Sequence, residues 1–290
     1  MARTRPARDG AVRAILLAAT VAAAPAWAQD VCGRGGAPCT VDGGSYHAAL
    51  PDAPSGGAVV LLHGFGGSGN GMLGATGVVD AITARGYAVI APNGLPFAEG
   101  DTRGSWSFLP DEIRPRRRDE GAFLAAVVQD ASDRYGVDPD RTLLAGFSAG
   151  GFLVNYLACE TPDAFPAYAP VSGGFWRPHP GACAGPVRLL HTHGFQDSTV
   201  PLEGRPLRGG QFIQGDIFEG LGIWRDANGC EWDDPDAYAV TGPFQRRRWD
   251  CAPGAALEFA LFDGGHTIPD GWADMALDWF EDGPLPAVTD

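Results

Sequence analysis

The chain has 290 residues, 45 % of them hydrophobic and 19 % charged, which is enough for one large domain with a full core. Its 35 carboxylates outnumber 21 basic residues, all of them arginine, for a formal net charge of −14. The arginines sit in short local runs (Arg114 with Arg116 to Arg118, then Arg246 to Arg248) and form no basic stripe interleaved with aromatics. That distribution excludes nucleic acid as the partner and assigns the acidity to solubility.

The N-terminal thirty residues read as a segment apart from the fold. Arg3, Arg5, Arg8 and Arg13 make a basic start, 14–24 is an apolar run, and Ala26-Trp27-Ala28 is an A-x-A cleavage signature. The pattern over 1–28 is that of a secretory signal peptide, too short and too alanine-rich for a membrane anchor. Gln29-Asp30-Val31 before Cys32 lacks the small residues of a lipoprotein box. The expected mature domain is 29–290, secreted or periplasmic, with 17 arginines against 34 carboxylates. A monomer or weak oligomer is expected. Six cysteines in an exported chain predict three disulfides, and sequence proximity favours Cys32–Cys39, Cys159–Cys183 and Cys230–Cys251. Closed loops of these sizes each stabilise by roughly 2–4 kcal/mol. No C-x-x-C pair is present, so zinc and thiol-redox sites have little to rest on.

From there apolar runs alternate with helical patterns. Residues 58–62 (Ala-Val-Val-Leu-Leu) read as a buried strand, followed by the glycine-rich loop His63-Gly-Phe-Gly-Gly-Ser-Gly-Asn-Gly71. A helix is expected over 78–85, a strand over 87–91, a helix over 119–135, a strand over 142–145 and a helix over 148–160. The next strand spans 187–192, and 201–228 is less regular and glycine-rich, suited to a cap or rim over a site. A strand over 257–262 and a helix over 272–280 follow. Short, nearly continuous apolar strands suit a parallel sheet covered on both faces. The alternation predicts a doubly wound α/β sandwich, with no repeat and no dividing linker.

Gly146-Phe-Ser-Ala-Gly150 matches G-x-S-x-G between an apolar strand and an apolar-faced helix. A strand-to-helix turn this sharp strains the nucleophile's backbone and leaves no room for side chains at the flanking positions, which is why they are glycine. The alternative is a glycine-rich turn whose serine only caps a helix. A serine hydroxyl becomes a nucleophile when a base takes its proton. Of the six histidines, His47 and His63 precede Ser148, out of the chain order Ser, acid, His of this motif. His179 lies between two prolines, and His266, in Asp263-Gly-Gly-His-Thr-Ile-Pro269 after the last strand, is the expected base. Asp197, just past the 187–192 strand, is the expected acid, with Asp263 as the competitor that shapes the loop instead. The amides of Ala149 and Phe65 are the expected oxyanion donors. A phosphate cradle at 63–71 would need Gly-Lys-Ser/Thr, or G-x-G-x-x-G with a later acidic residue, and has neither.

With these motifs in order, the chain resembles the α/β-hydrolase esterases grouped with polyhydroxybutyrate depolymerases and feruloyl or acetylxylan esterases. The marks are LLHGFGGSGNG, RRRDEGAFLAAVVQDASDRYGVDPDRTLLAGFSAGG, LACETPDAFPAYAPVSGG, HTHGFQDSTVP, the pair Cys230 and Cys251, and DGGHTIP. The resemblance implies a mostly parallel central sheet with helices on both faces, and a cofactor-free serine mechanism with Ser148 as nucleophile, Asp197 as acid and His266 as base. The family commonly has a tryptophan where this chain has Ile268, a change expected at the wall of the site.

The expected substrate is an ester, polymeric or oligomeric. Hydroxyalkanoate oligomers lead, feruloyl or acetylxylan esters are the alternative, and a catalytically silent secreted binding protein is the reading from another class. Trp106, Phe175 and Trp176, with Phe65, are candidates to line the pocket. His191 and His193, in Leu189-Leu-His-Thr-His-Gly-Phe-Gln-Asp197, have metal-like spacing but no nearby third and fourth ligand. His191 reads as a core residue and His193 as a residue ordering the turn before Asp197. Finally, a Cys230–Cys251 bridge before the His266 loop predicts that reduction lowers activity before the whole protein melts.

Overall fold

A computed structural model describes residues 1–2, 32–109, 114–231 and 234–286. All but the first two residues of the expected signal peptide, and its cleavage point, lie outside them. The first described elements are two antiparallel strands, β1 (Cys39–Val41) and β2 (Gly44–Ala49), followed by the predicted strand β3 (Ala58–Leu62). Helices α1 (Gly69–Met72) and α2 (Thr76–Ala84) lead to β4 (Ala88–Pro92), and a small ladder pairs β5 (Leu95–Pro96) with β6 (Gly104–Ser105). Helix α3 (Glu120–Tyr135), β7 (Thr142–Phe147), α4 (Ala149–Glu160) and β8 (Ala167–Val171) follow. Next come β9 (Trp176–Arg177), β10 (Arg188–Gly194), β11 (Arg205–Leu207), β12 (Phe212–Gln214) and α5 (Ile217–Asn228). A hairpin of β13 (Ala237–Thr241) and β14 (Phe244–Trp249), then β15 (Ala256–Phe262) and α6 (Trp272–Asp282), complete the described elements.

Ten strands make one sheet in the order β1-β2-β4-β3-β7-β8-β10-β15-β14-β13. The six from β4 to β15 are mutually parallel, and both edges are antiparallel. Alternation along each strand sends side chains to opposite faces. Val60 and Leu62 join one core with Leu153 of α4, Phe123 of α3 and Trp224 of α5. Val59 and Leu61 join the other with Ile82 of α2 and Trp272 and Trp279 of α6. With both faces covered, β3, β4 and β8 are buried throughout, as the continuous apolar runs predict for β3 and β4, whereas β8 is a strand the sequence reading did not expect.

Local signals set the helix ends. Asp119 caps α3 by accepting from the Ala122 amide at 2.9 Å, and Gly136 ends it in the left-handed conformation. Asp216 caps α5 by accepting from the Phe218 and Glu219 amides. The irregular reading of 201–228 is therefore half right. Its first part supplies β11 and β12, which join β9 in a three-stranded sheet, and its second part is a helix. All three expected disulfides are present. Cys230–Cys251, however, sits before β15, at its amino end, while His266 lies beyond its carboxyl end. Seven strand residues, at roughly 3.3 Å each, separate the two edges, so the bridge does not brace the His266 loop.

Candidate active site

Because β3, β7, β10 and β15 run parallel, the loops after them emerge at one edge of the sheet. Those loops carry Phe65, Ser148, Asp197 and His266 respectively. Ser148 follows β7 with φ 56° and ψ −117°, a conformation that side-chain-bearing residues rarely adopt. Its amide donates to Val171 O, and its carbonyl accepts from Phe152 N. A Cβ on Gly146 would lie 2.5 Å from Gly150, and one on Gly150 would lie 2.5 Å from Leu62 O. The two glycines of the motif are thus demanded by packing. On the other side, a Cβ on Gly64 would come within 3.2 Å of Ser148 Cβ, so the loop after β3 lies directly against the serine.

The three predicted side chains meet. Ser148 Oγ lies 2.8 Å from His266 Nε2, and His266 Nδ1 lies 2.7 Å from Asp197 Oδ2. An ionised carboxylate only accepts, so Nδ1 carries the imidazole proton and Nε2 is free to accept from the serine hydroxyl. Asp197 is buried. Burial raises its carboxyl, but hydrogen bonds from His266 and from the Val200 and Thr199 amides outweigh that and hold it below the ordinary aspartate value. The Asp197 turn and the His266 loop are zipped together. Phe195 N donates to Phe262 O and Gln196 N to Gly264 O, and a Cβ on Gly194 would strike Gly265 O at 2.3 Å. Asp263 accepts from Gln196 Nε2 at 2.6 Å, a loop role distinct from that of Asp197.

The His-x-His pair joins the same network as a support. His193 Nε2 donates to Val200 O at 2.8 Å, leaving its Nδ1 to accept from His191 Nε2 at 3.2 Å. Both rings are buried, and burial lowers both pKa values and keeps them neutral. His193 therefore orders the turn that delivers Asp197. No cluster of three or more metal-ligating side chains occurs among the described residues.

The amide of Ala149, first in α4, and that of Phe65 have no hydrogen-bond partner among the described residues. Loop 63–67 is held from beneath by His63, whose role the sequence reading passed over. Gly94 N donates to its Nε2 at 2.9 Å, so its Nδ1 proton goes to Gly64 O at 2.7 Å. Trp106 Nε1 donates to His63 O at 2.8 Å, and the two rings lie tilted at 35° with centroids 4.7 Å apart. Burial drives the His63 pKa down to about 4.

Ser148 and Ala149 open into a cavity of about 710 Å3. Trp106, Trp176 and Phe65 line it, as expected, together with Phe97, Phe108, Phe152 and Phe212. Phe175 does not. It is 1 % exposed and packs in the core against Tyr156 and Trp224. Ile268 also lies off the wall, packed against the core under α6. Sequence reading missed four arginines at the cavity, Arg114, Arg117, Arg205 and Arg208. Nothing in the local pattern of either pair tells which way it faces.

Residues 57–200 match the α/β hydrolase fold family. In sequence the chain is similar to a putative esterase, NocK, of Nocardia uniformis subsp. tsuyamanensis, 36 % identical over 53 % of this chain and 44 % of that one. It is 27 % identical to a probable feruloyl esterase C of Aspergillus niger, over 63 % of this chain and 58 % of that one. The chain thus spans about half the length of these relatives. Among solved structures, an acetyl xylan esterase from Aspergillus awamori superposes with a TM-score of 0.59 at 17 % identity, covering 81 % of this chain and 93 % of that one. The chain has the α/β-hydrolase fold, and in sequence it resembles proteins named as esterases.

Proposed function

We propose that the chain is a carboxylic-ester hydrolase working through an acyl-enzyme on Ser148. The observation that carries this is the hydrogen-bonded series Ser148–His266–Asp197 beside two amides that have no partner among the described residues. His266 Nε2 takes the hydroxyl proton as Ser148 Oγ attacks the ester carbonyl, and Asp197 stabilises the imidazolium. The carbonyl oxygen, now an anion, is received by the amides of Phe65 and Ala149, each such donor being worth about 3 kcal/mol in the transition state. The tetrahedral intermediate collapses as His266 returns the proton to the leaving alcohol. Water then repeats the cycle on the acyl group. These steps are complete with the chain's own residues.

The substrate reading is finer. Hydroxyalkanoate oligomers are the leading class, and the aromatic lining of Phe97, Trp106, Phe108 and Trp176 favours a hydroxycinnamoyl group as the second reading. Export of the 29–290 domain is part of the proposal. Three disulfides fit an oxidising compartment, and among the described residues no helix is long and apolar enough to cross a membrane.

The test is Ser148→Ala on p-nitrophenyl acetate, with kcat expected to fall by at least about 10⁴-fold. Unchanged turnover by the variant would remove Ser148 from the mechanism. Product masses from 3-hydroxybutyrate oligomers and from methyl ferulate separate the two substrate classes.

A further inference from the structure

The charge of the cavity runs against that of the chain. Carboxylates outnumber arginines 35 to 21 overall, yet the cavity that holds Ser148 is lined by four arginines and, among the described residues, by no aspartate or glutamate. Arg114 and Arg117 arrive from the segment before α3, Arg205 from β11, and Arg208 from the turn after it. Two stretches about ninety residues apart therefore contribute one positive wall.

Among the described residues these guanidinium groups are not tied off by carboxylates. Arg103, Arg116, Arg118, Arg134, Arg177 and Arg246 each contact a carboxylate. None of the four cavity arginines does so among the described residues. Arg114 donates to Phe97 O at 2.7 Å and lies over the Phe97 ring at 4.4 Å. Arg208 stands 5.9 Å from the Phe97 and Phe212 rings, and Arg205 Nε donates to Gln214 Oε1 at 3.2 Å. Aromatic faces and neutral acceptors hold Arg114, Arg205 and Arg208 in place, and among the described residues no carboxylate neutralises them. Burial, then the like charges of Arg117 and Arg208, lower the Arg114 pKa, the effect of cations that face one another. Arg208 also has φ 48°, one of three positive-φ residues other than glycine among those described, Ser148 being another. A neighbouring cavity of about 450 Å3 makes the contrast. There Arg116 faces Glu160 and Arg118 faces Glu120.

We propose that this wall makes the site selective for esters that themselves carry a carboxylate, with Arg114, Arg117, Arg205 and Arg208 as its specificity-determining residues. The proposal rests on the ester-hydrolase reading and adds a substrate class to it. A guanidinium fork receives a carboxylate with two parallel hydrogen bonds, and a positive cleft also concentrates anions against the chain's negative field. An oligomer of a hydroxy acid carries a free carboxylate at one end, on the alcohol side of its last ester. For such a substrate the wall selects the terminal ester over those within the chain. A carboxylate on the acyl side would be read by the same groups.

The experiment has two arms. 3-Acetoxybutanoate against its neutral amide places the carboxylate on the alcohol side, and monomethyl glutarate against its monoamide places it on the acyl side. In at least one arm the charged ester is expected to have the higher kcat/KM by about tenfold or more at low salt, with the ratio shrinking at about 0.5 M salt. Arg114→Gln with Arg208→Gln should bring that ratio to near one, Arg208→Lys should keep most of it, and Arg134→Gln on α3 should leave it as in the wild type. Ratios at or below one in both arms, or a ratio unmoved by the double substitution, overturn the proposal while p-nitrophenyl acetate turnover leaves the hydrolase reading standing. If no ester is cleaved, the hydrolase reading falls instead, and calorimetry on the Ser148→Ala protein decides the arginine wall. There 3-acetoxybutanoate should bind at least about tenfold more tightly than its amide, and equal affinities sink the wall.

Discussion

Two aspartates, Asp197 and Asp263, lie near His266, and their surroundings assign them different work. Asp197 is buried, accepts a hydrogen bond from His266 Nδ1–H at 2.7 Å and has its other oxygen filled by two backbone amides. Asp263 accepts from the Gln196 side chain at an exposed site. Asp197→Asn keeps the shape but offers an NH2 group where a proton acceptor is needed, so the imidazole turns to the wrong tautomer. The expected result is a kcat lower by about 10⁴-fold with the fold intact. Asp263→Asn should keep kcat within about threefold, since an amide can still accept from Gln196. Steady-state kinetics on one ester checks both, and a larger loss at Asp263 than at Asp197 reverses the assignment. At this scale the sequence was most legible. Chain order, strand ends and the spacing of G-x-S-x-G name Ser148, Asp197 and His266 before any coordinates. The support given by His63 was not legible, because a histidine that holds a loop through Gly94 and Gly64 has no sequence pattern.

Elements were legible where periodicity and packing agree, and missed where a single residue argues against the local reading. β8 (Ala-Tyr-Ala-Pro-Val) lies in the middle of the sheet although Pro170 has no N–H to give a neighbour, and no strand is expected there from the sequence. Helix α5 carries Gly220 and Gly222, and its glycines masked the Asp216 cap and the Gly229 stop that define it. Packing overrides the glycine cost. Trp224 is 1 % exposed, and its Nε1 donates to Asn155 of α4. Asp216→Ala should lower stability by about 1 kcal/mol in urea unfolding, and a change below about 0.3 kcal/mol would show that the cap contributes nothing. The Cys230–Cys251 bridge joins the second residue after α5 to the loop before β15, on the edge away from Ser148. Across a reductant series, activity and unfolding midpoints are therefore expected to fall together. Activity lost first would mean that the bridge reaches the site after all.

Across the whole molecule, the same sheet edge gathers both the reacting groups and the arginine wall, and buried neutral histidines lie beneath it. The wall was illegible in sequence because charge runs at 114–118 and at 205–208 become neighbours only through the fold. The histidines make stability depend on pH in a direction that can be worked out. Burial lowers His63 from 6.5 to about 4, and lowers His191 and His193 as well. Between those values the unfolded chain binds protons that the native chain refuses, so stability is full above pH 6.5 and is lost as pH falls towards about 4. His63 alone accounts for about 3 kcal/mol of that loss. Asp197, lowered in the fold, adds in the same direction at more acid pH, whereas Glu120, raised by burial, opposes it. A variant isolates the His63 part. His63→Asn removes the acceptor of Gly94 N and should be less stable than the wild type at pH 7. It carries no titrating ring, so its urea midpoints should decline less between pH 6.5 and 4.5. Parallel declines in the two proteins would place the acid sensitivity elsewhere, with His191 and His193 the next groups to replace.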